Sequence, residues 1–414
     1  PDLDAVFLYS MAWKIFAIKW QAPMLKPRTV ASRENRTSFT TFINMQPAHQ
    51  QFALKDFEVV QKLGQGGFGT VRLVRHKTTC AQYALKEIPK RKIDRKAVWQ
   101  CVLAECDALQ QLKHPLIISL FGAFQDQSYG YFVLELAEAG SLLEQVNEYG
   151  GYFPELWCRF YTAEVALAIA YVHAKGFVYR DLKMDNILIA ANGHIKLADF
   201  GLATQLATRR TILVGTPHML APEVLLCQGV YSGSGDWWAV GLILCEMMLG
   251  RSPLHWVHGP EDLRKLPRFF KQQLHLPDWT LSHAKVSYAA KQVIIAFLST
   301  DPEKRLCCTH GISELKELQW FDGVNFNEIE GLQVEAPLAR LLRQKSLCTT
   351  SRRYSSFQRV LSRRRSSASS ETTHSHFHVH NRERQSACNE ADADTAIRRN
   401  ISIKANPNVC SGIV

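Results

Sequence analysis

Within Tyr179-Arg180-Asp181-Leu182-Lys183-Met184-Asp185-Asn186 an acid, a lysine and an amide share one short loop, and Asp199-Phe200-Gly201 lies downstream. Phosphoryl transfer asks for a carboxylate that orients the attacking hydroxyl and for oxygen ligands that hold Mg²⁺ against nucleotide phosphates. These two segments meet both needs.

Upstream lie Gly64-Gln65-Gly66-Gly67-Phe68-Gly69-Thr70-Val71 and Tyr83-Ala84-Leu85-Lys86. Three glycines at this spacing are a weak signal alone, because they also occur in ordinary turns and dinucleotide sites. The residues just after them carry more information. Val71 and Leu73 alternate with polar residues, so the loop joins two strands. A dinucleotide fingerprint would need a helix N-terminus there. A hairpin lid fits better, with glycines that let the backbone approach phosphate oxygens and Phe68 at the tip to shield the site. Lys86, in an apolar strand, reads as a phosphate-binding lysine; the bland alternative is a lysine whose head reaches solvent. Between Val98 and Leu109 the apolar positions recur at helical spacing, with Glu105 and Asp107 among them.

Taken in this order, the motifs resemble the eukaryotic protein kinase family. Within it they are most similar to the AGC group of Ser/Thr kinases and to the catalytic chains of cyclic-nucleotide-dependent (cAMP-dependent type) protein kinases. The resemblance covers roughly residues 57–340. It implies an α+β, bilobal fold: a small antiparallel β-sheet N-lobe with one helix, a larger, mostly helical C-lobe, and disordered tails. The corresponding divisions are 1–56 (extension and linker), 57–321 (kinase domain, N-lobe about 57–136, C-lobe about 137–321), 322–340 (C-terminal extension) and 341–414 (basic tail).

The resemblance implies a role for each matching residue. Asp181 accepts the substrate hydroxyl proton, Lys183 neutralises charge on the transferring group, and Lys86 is held by Glu105 of the regulatory helix, while Asp107 serves solvation. Asn186 and Asp199 are the magnesium ligands. ATP would be held by Leu63, Gly64, Gln65, Gly66, Gly67, Phe68, Gly69, Val71, Ala84, Lys86, Glu135, Ala137 and Leu188. Leu109, Leu120, Tyr179 and Phe200 match a stack of apolar residues, a reading compatible with plain core packing. Ala221-Pro222-Glu223 closes the activation segment, with Arg305 as the partner of Glu223 in a buried ion pair. Asp236 opens an apolar run through Gly250 that reads as the central C-lobe helix.

Several positions depart from the pattern. Tyr179 stands where most kinases carry His. Ile212 occupies the position of the family's phosphothreonine, with Thr211 one residue before, and Cys101 replaces a histidine of the same network. Two losses in one network imply a loop that needs no phosphate, or a shifted site. Substrates would be proteins with arginines before the target Ser or Thr, received by Asp185 and Glu246. A third acidic position is Ser141 here, with Glu138 or Glu144 as stand-ins, and His218-Met219 replaces an acidic-aromatic pair beside the peptide groove. The alternative from a different class is a pseudokinase acting as scaffold or allosteric partner; intact Lys86, Asp181, Asn186 and Asp199 weigh against it.

Composition frames the rest. The 414 residues suit two or three units at about 150 residues each, and 46% hydrophobic content supports sizeable cores. Net charge is +11, but between Arg340 and Ser370 nine Lys/Arg and no Asp/Glu fall among serines, a composition that buries no core. Arg352-Arg353-Tyr354-Ser355 and Arg364-Arg365-Ser366-Ser367 read either as a solvated basic tail or as sites of self-phosphorylation. Few aromatics accompany the arginines, so no nucleic-acid partner is expected. The alternating His374, His376, His378 and His380 read as incidental. Eleven cysteines without Cys-x-x-Cys pairs indicate a reducing cytoplasmic or nuclear compartment. Ala5 to Trp20 is too short and too charged to span a membrane; packing on the core and lying on a membrane both remain open. Control by a cyclic nucleotide would require a separate regulatory subunit, since no module for it is visible.

Overall fold

The computed structural model describes residues 52–345 apart from 66–68, 94–95, 207–213, 227–231, 258–259 and 273–285. The expectations for the apolar N-terminal stretch, for Gly66, Gly67, Phe68, Thr211 and Ile212, and for the basic, histidine-bearing tail lie outside the described residues.

Five antiparallel strands come first: β1 (Phe57–Gln65), β2 (Thr70–His76), β3 (Gln82–Pro89), β4 (Leu120–Gln125) and β5 (Tyr129–Leu134), ordered β1-β2-β3-β5-β4. The period of two along each strand gives the sheet two faces with different duties. One face buries Phe57, Val74, Leu85, Phe124, Tyr131 and Val133 together, and the Phe124 ring stacks on Tyr131 at 4.6 Å. Each such burial stabilises by about 1.5–3 kcal/mol. The register sets Val71 opposite Lys86 and Leu73 opposite Ala84, so Val71, Ala84 and Lys86 share the other face. A one-residue slip would turn Lys86 into the core. Gly69 sits at the mouth of the β1–β2 turn, where a Cβ would lie 1.8 Å from the Glu87 carbonyl oxygen; no other residue fits without moving β3.

Helix α1 (Lys96–Gln111) buries Cys101, Val102, Cys106 and Leu109, spaced to lie on one side, and Glu105 with them. Asp107 is exposed and accepts from Gln111 Nε2 at 2.7 Å, the solvating role expected of it.

The larger lobe is helical. It contains α2 (Leu142–Tyr149), α3 (Glu155–Ala174), α4 (Pro222–Leu226), α5 (Ser234–Leu249), α6 (Pro260–Gln272) and α7 (Tyr288–Phe297), with paired strands β6 (Phe177–Val178) and β9 (Thr204–Gln205) and a hairpin of β7 (Ile187–Ile189) and β8 (Ile195–Leu197). Helix α5 is buried nearly all round, from Trp237 through Leu244 to Met248, which explains why its sequence is apolar without a polar stripe. It ends where Gly250 takes φ +71°. Among the described residues, 337–345 belong to a second unit.

The ion pair expected between Glu223 and Arg305 is present. Arg305 Nη1 and Nη2 donate to Glu223 Oε1 and Oε2 at 2.5 and 2.8 Å. Its remaining donors reach Ser234 O and Ser299 O, and its guanidinium lies 5.3 Å from the Trp238 ring centroid. Arg305 is 1% exposed, so removing it takes both guanidinium donors from a largely shielded Glu223 carboxylate, which keeps only the Ser234 hydroxyl at 2.8 Å. Arg305→Met should lower unfolding stability by about 3–5 kcal/mol, read by urea denaturation; a loss below about 1 kcal/mol would show that the pair does not brace this lobe.

Candidate active site

Lys86 reaches the space between the lobes because β3 points alternate side chains away from its core. Its Nζ donates to Glu105 Oε1 and Oε2 at 2.5 and 2.6 Å, and Asp199 Oδ1 lies 3.8 Å away. Glu105 is 3% exposed, so its charge depends on this ammonium. The contact ties β3 to α1, and α1 in turn packs on the turn Phe200–Leu202 directly after Asp199. Asp199 has φ +53°, a left-handed conformation that surrounding contacts must hold.

Below the cleft, a carboxylate from another element supports the loop 179–186. Asp236, in the first turn of α5, accepts from the Tyr179 amide at Oδ2 and from the Arg180 amide at Oδ1, each at 2.8 Å, and His173 Nε2 lies 2.8 Å from Oδ2. The start of a helix favours such a negative charge. Arg180 takes φ +71° here, and its Nε donates to Leu202 O at 2.6 Å. Gly215 follows the same contour at φ +113°, where a Cβ would fall 2.7 Å from the Arg180 carbonyl oxygen. The Tyr179 ring meets Phe200 edge-on at 5.0 Å and its hydroxyl donates to Ala198 O. Burial, with the charges of Asp199, Asp181 and Asp236, pushes the phenol well above its ordinary range and keeps it a donor. The Tyr179–Phe200 contact belongs to the predicted apolar stack, of which Leu109 is also buried and Leu120 half-buried.

Asp181, Lys183 and Asn186 converge. Thr216 Oγ1 donates to Asp181 Oδ1 at 2.7 Å and accepts from Lys183 Nζ at 3.0 Å, while Lys183 Nζ stands 3.8 Å from Asp181 Oδ2. Asn186 Nδ2 donates to Asp181 O and Oδ2 at 2.8 and 3.1 Å. With its nitrogen so engaged, Asn186 has its carbonyl oxygen as the remaining side-chain ligand atom, and Asp199 supplies a carboxylate. These two hard oxygens, a buried lysine and a glycine turn at Gly64 with open space where a Cβ would stand fit a magnesium nucleotide.

Other sequence-predicted residues fall out differently. Ala84 is buried, Val71 half-buried and Leu63 44% exposed on β1. Leu188 stands on β7 opposite Lys196, and Ala137 lies in the interlobe segment. The Glu135 side chain turns to Lys196 Nζ at 2.6 Å and accepts from Ser119 N at 3.1 Å, so only its backbone is offered to a ligand. The stand-ins for Ser141 already have partners: Glu144 closes a capping box with Ser141 at the start of α2, and Glu138 accepts from the Ala191 amide at 3.0 Å. Burial first, then the charge of Asp185, pushes the Glu246 carboxyl up to about 8. Cys101 packs with Leu202 and Val214 in one apolar cluster, joining α1 to both ends of the segment 202–214.

Sequence reasoning missed Thr216 and Asp236 as parts of the site. An acid at the head of a helix apolar on every side was the available signal for Asp236, because such a residue faces the interior and needs donors.

Among known proteins, the protein kinase domain model matches residues 57–321. The chain is 34% identical over 301 residues to a Caenorhabditis elegans protein named cAMP-dependent protein kinase, catalytic subunit-like, covering 72% of this chain and 73% of that one. It is 35% identical over 291 residues to the Arabidopsis thaliana serine/threonine-protein kinase AtPK2/AtPK19, covering 68% and 58% respectively. With human Rho-associated protein kinase 1 it shares 39% identity over 274 residues, which is 64% of this chain and 20% of that protein.

Proposed function

The chain belongs to the protein kinase family as a Ser/Thr kinase of the AGC type using ATP and Mg²⁺, and from that premise we propose the roles of its residues, its substrate preference and its control. The observation that carries the reading is the buried Lys86–Glu105 contact of 2.5 Å with Asp199 beside it. That arrangement joins a strand, a helix and the Asp-Phe-Gly turn around the place where phosphates would bind.

Bound Mg-ATP supplies the phosphoryl group and a cation that offsets its charge. Asn186 and Asp199 hold that cation through oxygen, and Lys86 binds and orients the phosphates. Asp181, fixed by Thr216 and Asn186, takes the hydroxyl hydrogen bond of the target Ser or Thr and receives its proton. Lys183, tethered to Thr216, offsets charge at the transfer point. Val71, Ala84 and Leu188 exclude water around the base of the nucleotide. The intact set argues against a scaffold that lacks chemistry.

Substrates are arginine-preceded Ser or Thr residues in intracellular proteins. Asp185 and Glu246 receive one guanidinium; with Ser141 serving as a helix cap, a second acidic subsite is lost and the preference rests on that pair. The apolar Cys101–Leu202–Val214 cluster supports an activation segment held by packing where a phosphate network would otherwise act. Such a kinase signals in the cytoplasm or nucleus, and any cyclic-nucleotide control comes through a separate regulatory chain.

Wild-type protein with Mg-ATP should phosphorylate an arginine-preceded serine peptide, and Asp181→Asn should lower kcat by about a thousandfold. Equal phosphate incorporation by Lys86→Met and wild type would instead favour the scaffold. For the arginine subsite the sign comes from Glu246. Below about 8 it carries a proton, whereas above it two anions meet the guanidinium, so peptide KM falls by about tenfold between roughly pH 6.5 and 8.5 and Glu246→Gln flattens the profile. Finally, Thr211→Ala should keep most of the peptide activity, and its collapse would show that the loop depends on a phosphate there.

A further inference from the structure

Glu135 opens the segment that links the two lobes, and its side chain is held from both sides. Its amide donates to Ser119 O at 2.9 Å and its Oε2 accepts from Ser119 N at 3.1 Å, a reciprocal pair on the upper lobe. Its Oε1 receives Lys196 Nζ at 2.6 Å from β8 of the lower lobe. Neither side chain is free to swing: they are 24% and 12% exposed. The neighbouring backbone repeats the connection, since Ile118 N donates to Leu197 O at 3.0 Å and Leu197 N to Leu116 O at 2.8 Å. Lys196 also lies directly opposite Leu188 across the β7–β8 hairpin, and Asp199 comes three residues after it.

We propose that Glu135 and Lys196 act as positioning residues, a polar brace that fixes the interlobe backbone against β8 and thereby sets the affinity for the adenine nucleotide. This rests on the kinase reading above. The reasoning is geometric. Adenine recognition by an interlobe segment relies on backbone N–H and C=O groups, and a backbone offers them usefully only when its orientation is fixed. Without Lys196, the half-buried Glu135 carboxylate keeps only one amide donor and turns toward water, carrying the start of the segment with it. Asp181, Lys183 and Thr216 lie on other segments and hold one another, so the transfer step is insulated from the loss. The brace therefore acts on nucleotide binding and leaves the chemical step alone.

Lys196→Met is the direct test on the full chain, with Mg-ADP binding by calorimetry and steady-state kinetics in parallel. The Mg-ADP Kd and the KM for Mg-ATP should both rise about tenfold, with kcat and peptide KM within about twofold of wild type. Lys196→Arg, which retains the charge and a donor fork, should recover most of the affinity. Glu135→Gln removes only charge and should follow Lys196→Met in direction, which keeps the test decisive if thermal melting shows that Lys196→Met folds poorly. An unchanged Mg-ADP Kd in Lys196→Met or Glu135→Gln, or a parallel fall of kcat with every binding constant, overturns the brace. Wild-type protein that binds Mg-ADP but transfers no phosphate would overturn the kinase reading and leave the Mg-ADP comparison to judge the brace.

Discussion

An ammonium withdrawn from water must meet a carboxylate, and the Lys86–Glu105 contact is where that requirement organises this molecule. The two charges come from elements that share no local pairing, a central strand and the helix packed beside it. At 2.5 Å in a shielded setting each justifies the burial of the other. Such a contact is weak support for stability but strong support for position, because breaking it leaves a charge with no solvent. Whatever shifts α1 therefore shifts Lys86. Because α1 also packs on the turn Phe200–Leu202, the same movement reaches Asp199.

The lower lobe solves a similar problem with backbone amides. Asp236 gathers the Tyr179 and Arg180 N–H groups onto one carboxylate, which stabilises an Arg180 conformation that a non-glycine residue adopts reluctantly. Asp181 inherits its direction from that turn and is then fixed by Thr216 and Asn186. A chain of partnered buried groups is stiff, since each member constrains the next. Catalysis by positioning needs that stiffness more than it needs any single strong bond.

Much of this was legible in the chain. Lys86, Glu105, Asp181, Lys183, Asn186 and Asp199 stand in segments whose local pattern reveals strand, helix or loop, and the chemistry admits few other residue types. The buried helix after Asp236 was legible from its apolar run, whereas the Glu223–Arg305 pair was legible only through the family resemblance. Contacts made by distant segments were not. Nothing near Thr216 announces that its hydroxyl will lie between Asp181 and Lys183, and nothing near Glu135 says that Lys196 will claim its carboxylate in place of a nucleotide. Glu144 is a different kind of miss. Ser141-x-x-Glu144 is a capping box readable from spacing alone, and that local role displaces the substrate role first considered for it.

The departures from the kinase pattern share a direction. Cys101 lies four residues before Glu105, one turn away on the same side of α1, so its contacts with Leu202 and Val214 act on the helix that carries the buried carboxylate. An apolar contact is insensitive to ionic strength and to phosphatases, whereas a phosphate held by basic side chains is sensitive to both. On the proposed phosphate-independent reading, replacing one by the other would trade a switch for a fixed support. At the proposed arginine subsite charge matters more: burial, and after it the charge of Asp185, raises the Glu246 carboxyl, and an arriving guanidinium would favour its ionised form. The two ends of the segment 202–214 are thus joined to α1 by packing.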